Sequence, residues 1–228
     1  MQIVCFGDSV TRGMTYIGGR LRIIKQNYPA FLQQSLSAQP DFDVVNKGTF
    51  NDTSDGLCAR LQTDVLSFHP DYVLIEIGGN DCNFHWDEVA LYPDRSHEPN
   101  VPLRRYLDNI RKMIEQIRDS GSVPIVMTLV PLDPVRYYAT LEKMYGFAIA
   151  RWIAICGGIE HWHAMYNQGL LRLIRSLSVS TIDLRTALKS TSDLAFLLSD
   201  DGIHPSALGY QVMSQTIFAS LQKMALSE

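Results

Sequence analysis

Four short stretches of this chain carry side chains able to act on one another chemically, and the first three directly follow apolar runs. Gly7-Asp8-Ser9 ends the run 3–6. Its glycine lets the chain bend sharply, and its serine falls where a helix begins, a place whose free N–H groups favour negative charge. Ser9 is therefore a candidate nucleophile. The stretch 46–53, Asn-Lys-Gly-Thr-Phe-Asn-Asp-Thr, is a small-residue turn entering a helix, and Asn51 is its candidate backbone N–H donor. Gly78-Gly79-Asn80-Asp81 follows the run 73–77; two glycines allow close backbone approach, and the Asn80 amide is a neutral donor of the kind that stabilises a developing oxyanion. Finally, Asp200-Asp201-Gly202-Ile203-His204-Pro205 offers a general base. Pro205 keeps His204 out of helical geometry, and Asp201 can fold back over Gly202 to accept the Nδ1–H, leaving Nε2 free to take the Ser9 proton. Each block also has a plainer reading: Asp8, Ser9, Asp52 or Thr53 as helix caps, Asn80 as a turn residue, Asp201 and His204 as a surface pair.

The elements that must position these residues follow from the apolar pattern. Runs at 3–6, 42–45, 72–77, 123–130 and 179–182 predict strands, and helical spacing occupies 26–38, 54–68, 103–120, about 159–177 and 206–226. In the clearest helix, Leu103, Leu107, Ile110, Ile114 and Ile117 form one stripe and Gly121 stands where a C-cap belongs. Strands alternating with helices predict an α/β chain, a three-layer α/β/α sandwich whose parallel sheet binds ligands at the carboxyl ends of its strands. A length of 228 residues suits a single domain, 1–228, and the stretch at about 84–102, with Pro93, Pro99 and Pro102, reads as a loop inserted into it. The 46% hydrophobic and 19% charged residues match a soluble globular chain, and a net charge of −4 argues against a nucleic-acid partner. No run reaches membrane-spanning length and the first residues show no leader pattern, so stable membrane insertion is not expected and the expected location is cytoplasmic. Cys5, Cys58, Cys82 and Cys156 are too scattered for a zinc site or a disulfide framework and read as free thiols. The first turn lacks both G-x-G-x-x-G and a Walker lysine, which argues against a nucleotide-binding domain and calls for no cofactor.

Taken together and in this order, the four blocks resemble those of the SGNH hydrolases, also called GDSL-type esterases and lipases, almost from end to end of the chain. That resemblance implies a flavodoxin-like five-stranded parallel sheet and a serine hydrolase acting on a small-molecule carboxylic ester through an acyl-enzyme, with no metal. It implies Ser9 as nucleophile, His204 as general base and Asp201 as its orienting acid. The implied oxyanion hole is the Ser9 N–H, the Asn51 N–H and the Asn80 side chain. Two positions depart from the family pattern: Val10 stands where the family name implies leucine, and Asn51 where glycine is usual, asparagine being the other residue that best tolerates a left-handed backbone. Esterase, acylhydrolase and sugar-ester deacetylase all fit; the alternatives are acyl transfer to an alcohol on the same triad, or a non-catalytic carbohydrate- or protein-binding module on the same fold. His85, Trp86 and Arg136 are further candidates for contact with substrate, and the 84–102 stretch for a specificity element. In Glu160-His161-Trp162-His163 the two histidines lie two apart on a helix and point to different faces, which argues against a metal pair.

Overall fold

The computed structural model describes residues 1–37, 42–191 and 193–225. Its elements, in chain order, begin with β1 (Gln2–Gly7), α1 (Ser9–Arg12), β2 (Met14–Ile17), β3 (Arg20–Ile23), α2 (Tyr28–Leu36), β4 (Asp43–Gly48) and α3 (Ser54–Asp64). A 3₁₀ turn (Leu66–Phe68) leads to β5 (Tyr72–Glu76), α4 (Trp86–Leu91), α5 (Leu103–Asp119), β6 (Val123–Met127), α6 (Pro134–Tyr145) and α7 (Ile149–Ile155). The chain continues through α8 (Ile159–Leu177), β7 (Ser180–Ile182), α9 (Leu184–Thr191), α10 (Leu194–Leu197) and α11 (Ala207–Ala225).

The strands that read as uninterrupted apolar runs are those covered on both faces. Along β1, Ile3 and Cys5 pack with Tyr28, Leu32, Tyr210 and Ile217 of α2 and α11, while Val4 and Phe6 pack with Leu57, Ile110, Ile114 and Leu170 of α3, α5 and α8. A strand sends successive side chains to opposite faces, so no polar position is left to break the run. Five strands join in the order β4-β1-β5-β6-β7, all parallel. Counted along the sheet alone this is 2-1-3-4-5, the flavodoxin-like order, and the crevice at its switch point opens between the carboxyl ends of β1 and β5.

Expected and observed boundaries differ for local reasons. Helix α2 starts at Tyr28 because the Asn27 side chain caps it by accepting from the Ala30 N–H at 3.0 Å. Strand β6 stops at Met127, short of the expected residue 130: the Thr128 N–H makes a last bond to Ile182 O at 3.0 Å, where β7 ends, and the Leu129 N–H turns to Asn167 Oδ1 at 3.1 Å. The helix expected over 54–68 divides at Val65 into α3 and the 3₁₀ turn. Residues 38 and 226, the expected ends of two helices, lie outside the described residues. Helix α5 closes as its glycine implies: Gly121 has φ 87°, its N–H donates to Arg118 O at 2.9 Å, and the Ser122 N–H donates to Ile117 O at 3.1 Å. The β2–β3 hairpin was not expected. Its two-residue turn, Gly18-Gly19, has positive φ at both positions, and that dipeptide was the available signal. All four cysteines are free thiols, Cys5 and Cys82 buried, Cys58 and Cys156 partly so.

Residues 84–102 are more structured than a loop, for they contain α4. Their base is clasped by the Asn100 N–H to Asn83 O (2.8 Å) and the Val101 N–H to Asp81 O (3.0 Å), while the Asn100 side-chain amide donates to Asn80 O (2.9 Å).

Candidate active site

Ser9 stands at the first position of α1, buried, directly beyond the carboxyl end of β1. The preceding Gly7 is obligatory, since a methyl group there would overlap the Glu76 carbonyl oxygen and the Thr11 hydroxyl. Asp8 caps the turn by accepting from the Val10 N–H at 2.8 Å. Helix α1 is a single turn, so charge at Ser9 is met by free N–H groups rather than by a long helix dipole.

His204 and Asp201 arrive on a tight loop closed by the Ser199 N–H to His204 O (2.8 Å) and a bridge between Leu198 and Pro205. Gly202, at φ 78°, fits against Tyr137 N and Asp133 O, and a Cβ there would lie 2.6 and 2.8 Å from them. His204 Nε2 lies 3.0 Å from Ser9 Oγ, and His204 Nδ1 lies 2.6 Å from Asp201 Oδ2. The other oxygen, Asp201 Oδ1, accepts from Ser199 Oγ (3.0 Å), the Ile203 N–H (3.2 Å) and the His204 N–H (3.1 Å). Burial pushes the Asp201 carboxyl upward, but the His204 hydrogen bond, the His204 charge and the two backbone N–H groups outweigh it and hold the carboxyl below its usual range.

Asn51 and Asn80 line the same cavity as Ser9. Asn51 has φ 58°, the left-handed backbone that its sequence position called for, and neither its N–H nor that of Ser9 has a partner among the described residues. The Asn80 side-chain amide donates to Asp52 O at 2.8 Å and faces Asp8 Oδ2 at 3.3 Å. The Asp81 carboxylate receives the Ser54 N–H on both oxygens, at 3.0 and 3.1 Å, and burial pushes this group up to about 7. Ser9, Asn51, Asn80 and His204 line one cavity of about 800 Å³.

The remaining candidates divide. Trp86 lines the cavity with its Nε1–H donated to Asn83 Oδ1 at 2.6 Å. Arg136 also lines it, but its guanidinium is bound to Ala195 O at 3.0 Å and lies 3.5 Å from Asp133, tying α6 to α10. His85 is not brought to the site: it is exposed at the start of α4, where the chain turns so that its neighbours Phe84 and Trp86 face inward.

Two residues of the site were missed. Arg60 of α3 donates to Gly7 O (2.9 Å), Lys47 O (3.0 Å) and Asp52 Oδ2 (2.7 Å), fastening the first and second blocks together; nothing in its sequence context marked it. Glu76, a lone acid in an apolar strand, did carry a signal. It is buried beside Asp8; burial first and then the Asp8 charge raise it well above the usual carboxylate range, while burial also lifts Asp8 to about 6. The two carboxyls do not ionise together. Among the described residues no group of three or more His, Cys, Asp or Glu could hold a metal ion, and no helix is long and apolar enough to cross a membrane.

Residues 5–212 match the GDSL-like lipase/acylhydrolase family. The chain belongs to that family. Membership makes it a carboxylic ester hydrolase by class. The chain is 29% identical over 189 residues to the uncharacterized lipoprotein YqeF of Bacillus subtilis, covering 79% of this chain and 69% of that one. It is 29% identical over 154 residues to the GDSL esterase/lipase At2g38180 of Arabidopsis thaliana, and there the match takes in 67% of this chain but only 44% of the plant protein. The crystal structure of a lipase/acylhydrolase from Enterococcus faecalis superposes with a TM-score of 0.72 at 21% identity, over 98% of this chain and 96% of that one, which establishes the shared fold.

Proposed function

We propose that this chain cleaves small carboxylic esters by two-step acyl transfer, with Ser9 as nucleophile, His204 as general base and Asp201 as the group that orients it. The observation that carries this reading is the continuous hydrogen-bonded line from Ser9 Oγ through the imidazole to Asp201, at 3.0 and 2.6 Å. With Nδ1–H donated to Asp201, Nε2 is left to accept the Ser9 proton as Oγ bonds to the ester carbon. The carbonyl oxygen takes up the displaced electron pair beside the Ser9 N–H, the Asn51 N–H and the Asn80 amide. Collapse expels the alkoxide, which takes the proton from His204, and water repeats the sequence to release the acid. The Asp52 carbonyl fixes the plane of the Asn80 amide, and the arriving oxyanion competes for the N–H that faces Asp8 at the longer 3.3 Å. Because Glu76 is raised well above the usual carboxylate range by burial and by Asp8, the pair next to the Asn80 amide does not carry two negative charges together. Residues 1–228 act as one catalytic unit in which 84–102 forms part of the pocket wall.

The test is Ser9→Ala, assayed with p-nitrophenyl acetate and with a fluorophosphonate probe. The variant keeps its fold and loses both turnover and labelling; retained turnover removes Ser9 as nucleophile.

A further inference from the structure

Beyond Ser9 the cavity continues into a lobe walled by α4, α6, α7 and α8, with Phe84, Trp86, Leu141, Ile153, Ile159 and Trp162 on its lining. Three of its aromatic residues have their polar atoms taken by the protein: Trp86 Nε1–H and the Tyr137 hydroxyl donate to Asn83 Oδ1 at 2.6 and 2.9 Å, and Trp162 Nε1–H donates to Cys82 O at 2.7 Å. Set into this wall is one further ring, His163 of α8, which is 5% exposed and lines the same cavity.

The chemistry of that ring is fixed from behind. Arg185 Nη1 lies 2.9 Å from His163 Nδ1, and a guanidinium can only donate, so Nδ1 is the acceptor and the proton of the neutral ring sits on Nε2. Arg185 is held in turn by Glu160 at 2.6 Å, which Lys189 also meets at 2.6 Å. Burial first, then the charges of Arg185 and Lys189, push His163 down to about 3, so the ring stays neutral through the ordinary pH range. A ring with Nδ1 occupied and Nε2 protonated neither binds a metal nor accepts a proton from substrate; it donates one hydrogen bond. Its Nε2–H has no partner among the described residues.

Resting on the ester-hydrolase reading above, we propose that the lobe receives the larger substituent of the ester and that His163 Nε2–H recognises one uncharged acceptor oxygen on it, a ketone, ether or hydroxyl. A carboxylate is disfavoured at His163 itself, because it would exchange its water for one neutral donor on a buried ring.

The test uses wild-type enzyme and matched p-nitrophenyl esters of equal chain length, alkanoates against oxoalkanoates with the ketone moved from the fourth to the eighth carbon. A second series places the same pairs on the alcohol side of acetate esters, and ω-carboxylates complete the panel. At one ketone position kcat/KM exceeds that of the plain chain by about tenfold, the worth of one well-made neutral hydrogen bond. In His163→Phe that ratio falls to about one, and in His163→Gln, which keeps an N–H, it stays clearly above the Phe value. The readout is a ratio within one enzyme, so a less abundant or slower variant does not alter it, and the wild-type panel decides by itself where a variant fails to fold. No ketone preference in either series, an unchanged ratio in His163→Phe, or faster ω-carboxylates overturns the proposal while p-nitrophenyl acetate is still turned over. Failure of the wild type to turn over any ester removes the hydrolase reading and this inference with it.

Discussion

Asp201→Asn isolates orientation from mere presence of the triad. In the wild type, Asp201 Oδ1 accepts from three donors around the loop, and Oδ2, among the described residues, accepts from His204 Nδ1 alone at 2.6 Å. An asparagine of the same shape keeps its oxygen toward those three donors, so the loop closed at Leu198 and Pro205 keeps its course. Its NH₂ then faces Nδ1, two donors cannot meet at that distance, and the imidazole moves its proton to Nε2. That nitrogen now donates toward Ser9 Oγ and accepts nothing. The wrong tautomer costs about 10³–10⁴ in kcat, or about 4–5.5 kcal/mol of barrier. The assay is p-nitrophenyl acetate hydrolysis with kcat and KM determined separately, beside a thermal melt. The sign of the acid control is also set: a carboxyl lowered in the fold stabilises it above the unfolded value of 3.8 and loses that contribution as pH falls through the lower folded value, so the variant differs from wild type least in strong acid. A variant within tenfold of wild-type kcat and with an unchanged melt refutes the assigned role of Asp201.

Two other perturbations read different parts of the site. Asn80→Ala removes one of the proposed oxyanion donors and is expected to lower kcat by about 10²–10³ with a much smaller change in KM; a loss in KM alone contradicts the role. Asp81→Asn tests the buried acid that holds the Ser54 N–H: its carboxyl is raised from 3.8 to about 7, so the wild type loses stability from this group as pH rises across that interval. The variant does not titrate, and urea unfolding at pH 4, 5.5 and 7.5 therefore shows the difference moving in its favour, by at most about 4 kcal/mol; a difference independent of pH contradicts the assignment.

What could be read from sequence was whatever a single physical period or a fixed spacing encodes. Strands β1, β5 and β6 are covered on both faces, so they appear as apolar runs, and α5 shows its buried Ile110, Ile114 and Ile117 at helical intervals. The spacing of Asp201, Gly202 and His204 encodes a local fold-back that the loop realises. Helix α6, by contrast, buries Leu141 fully while Tyr137 and Tyr145 are half-buried between a small aromatic cluster and the cavity, and this weakens its period. Arg60 acts through contacts to Gly7 O, Lys47 O and Asp52 at separations of 53, 13 and 8 residues, which no local pattern announces. His85 and Trp86 are adjacent, and only the direction in which the chain enters α4 decides which of them faces inward.

The clasp at Asn83 and Asn100 separates two tasks that adjoin in the chain. Because the Asn100 amide grips the carbonyl of Asn80 and the paired backbone bonds cinch both ends together, the span between is buckled at its base and seated by Phe84, Trp86 and Val89 against Leu141, Ile149 and Trp152. On the reading proposed above, substitutions within that span redraw the aromatic wall while the clasp at Asn83, Asn100 and Val101 leaves the Asn80 amide where it stands.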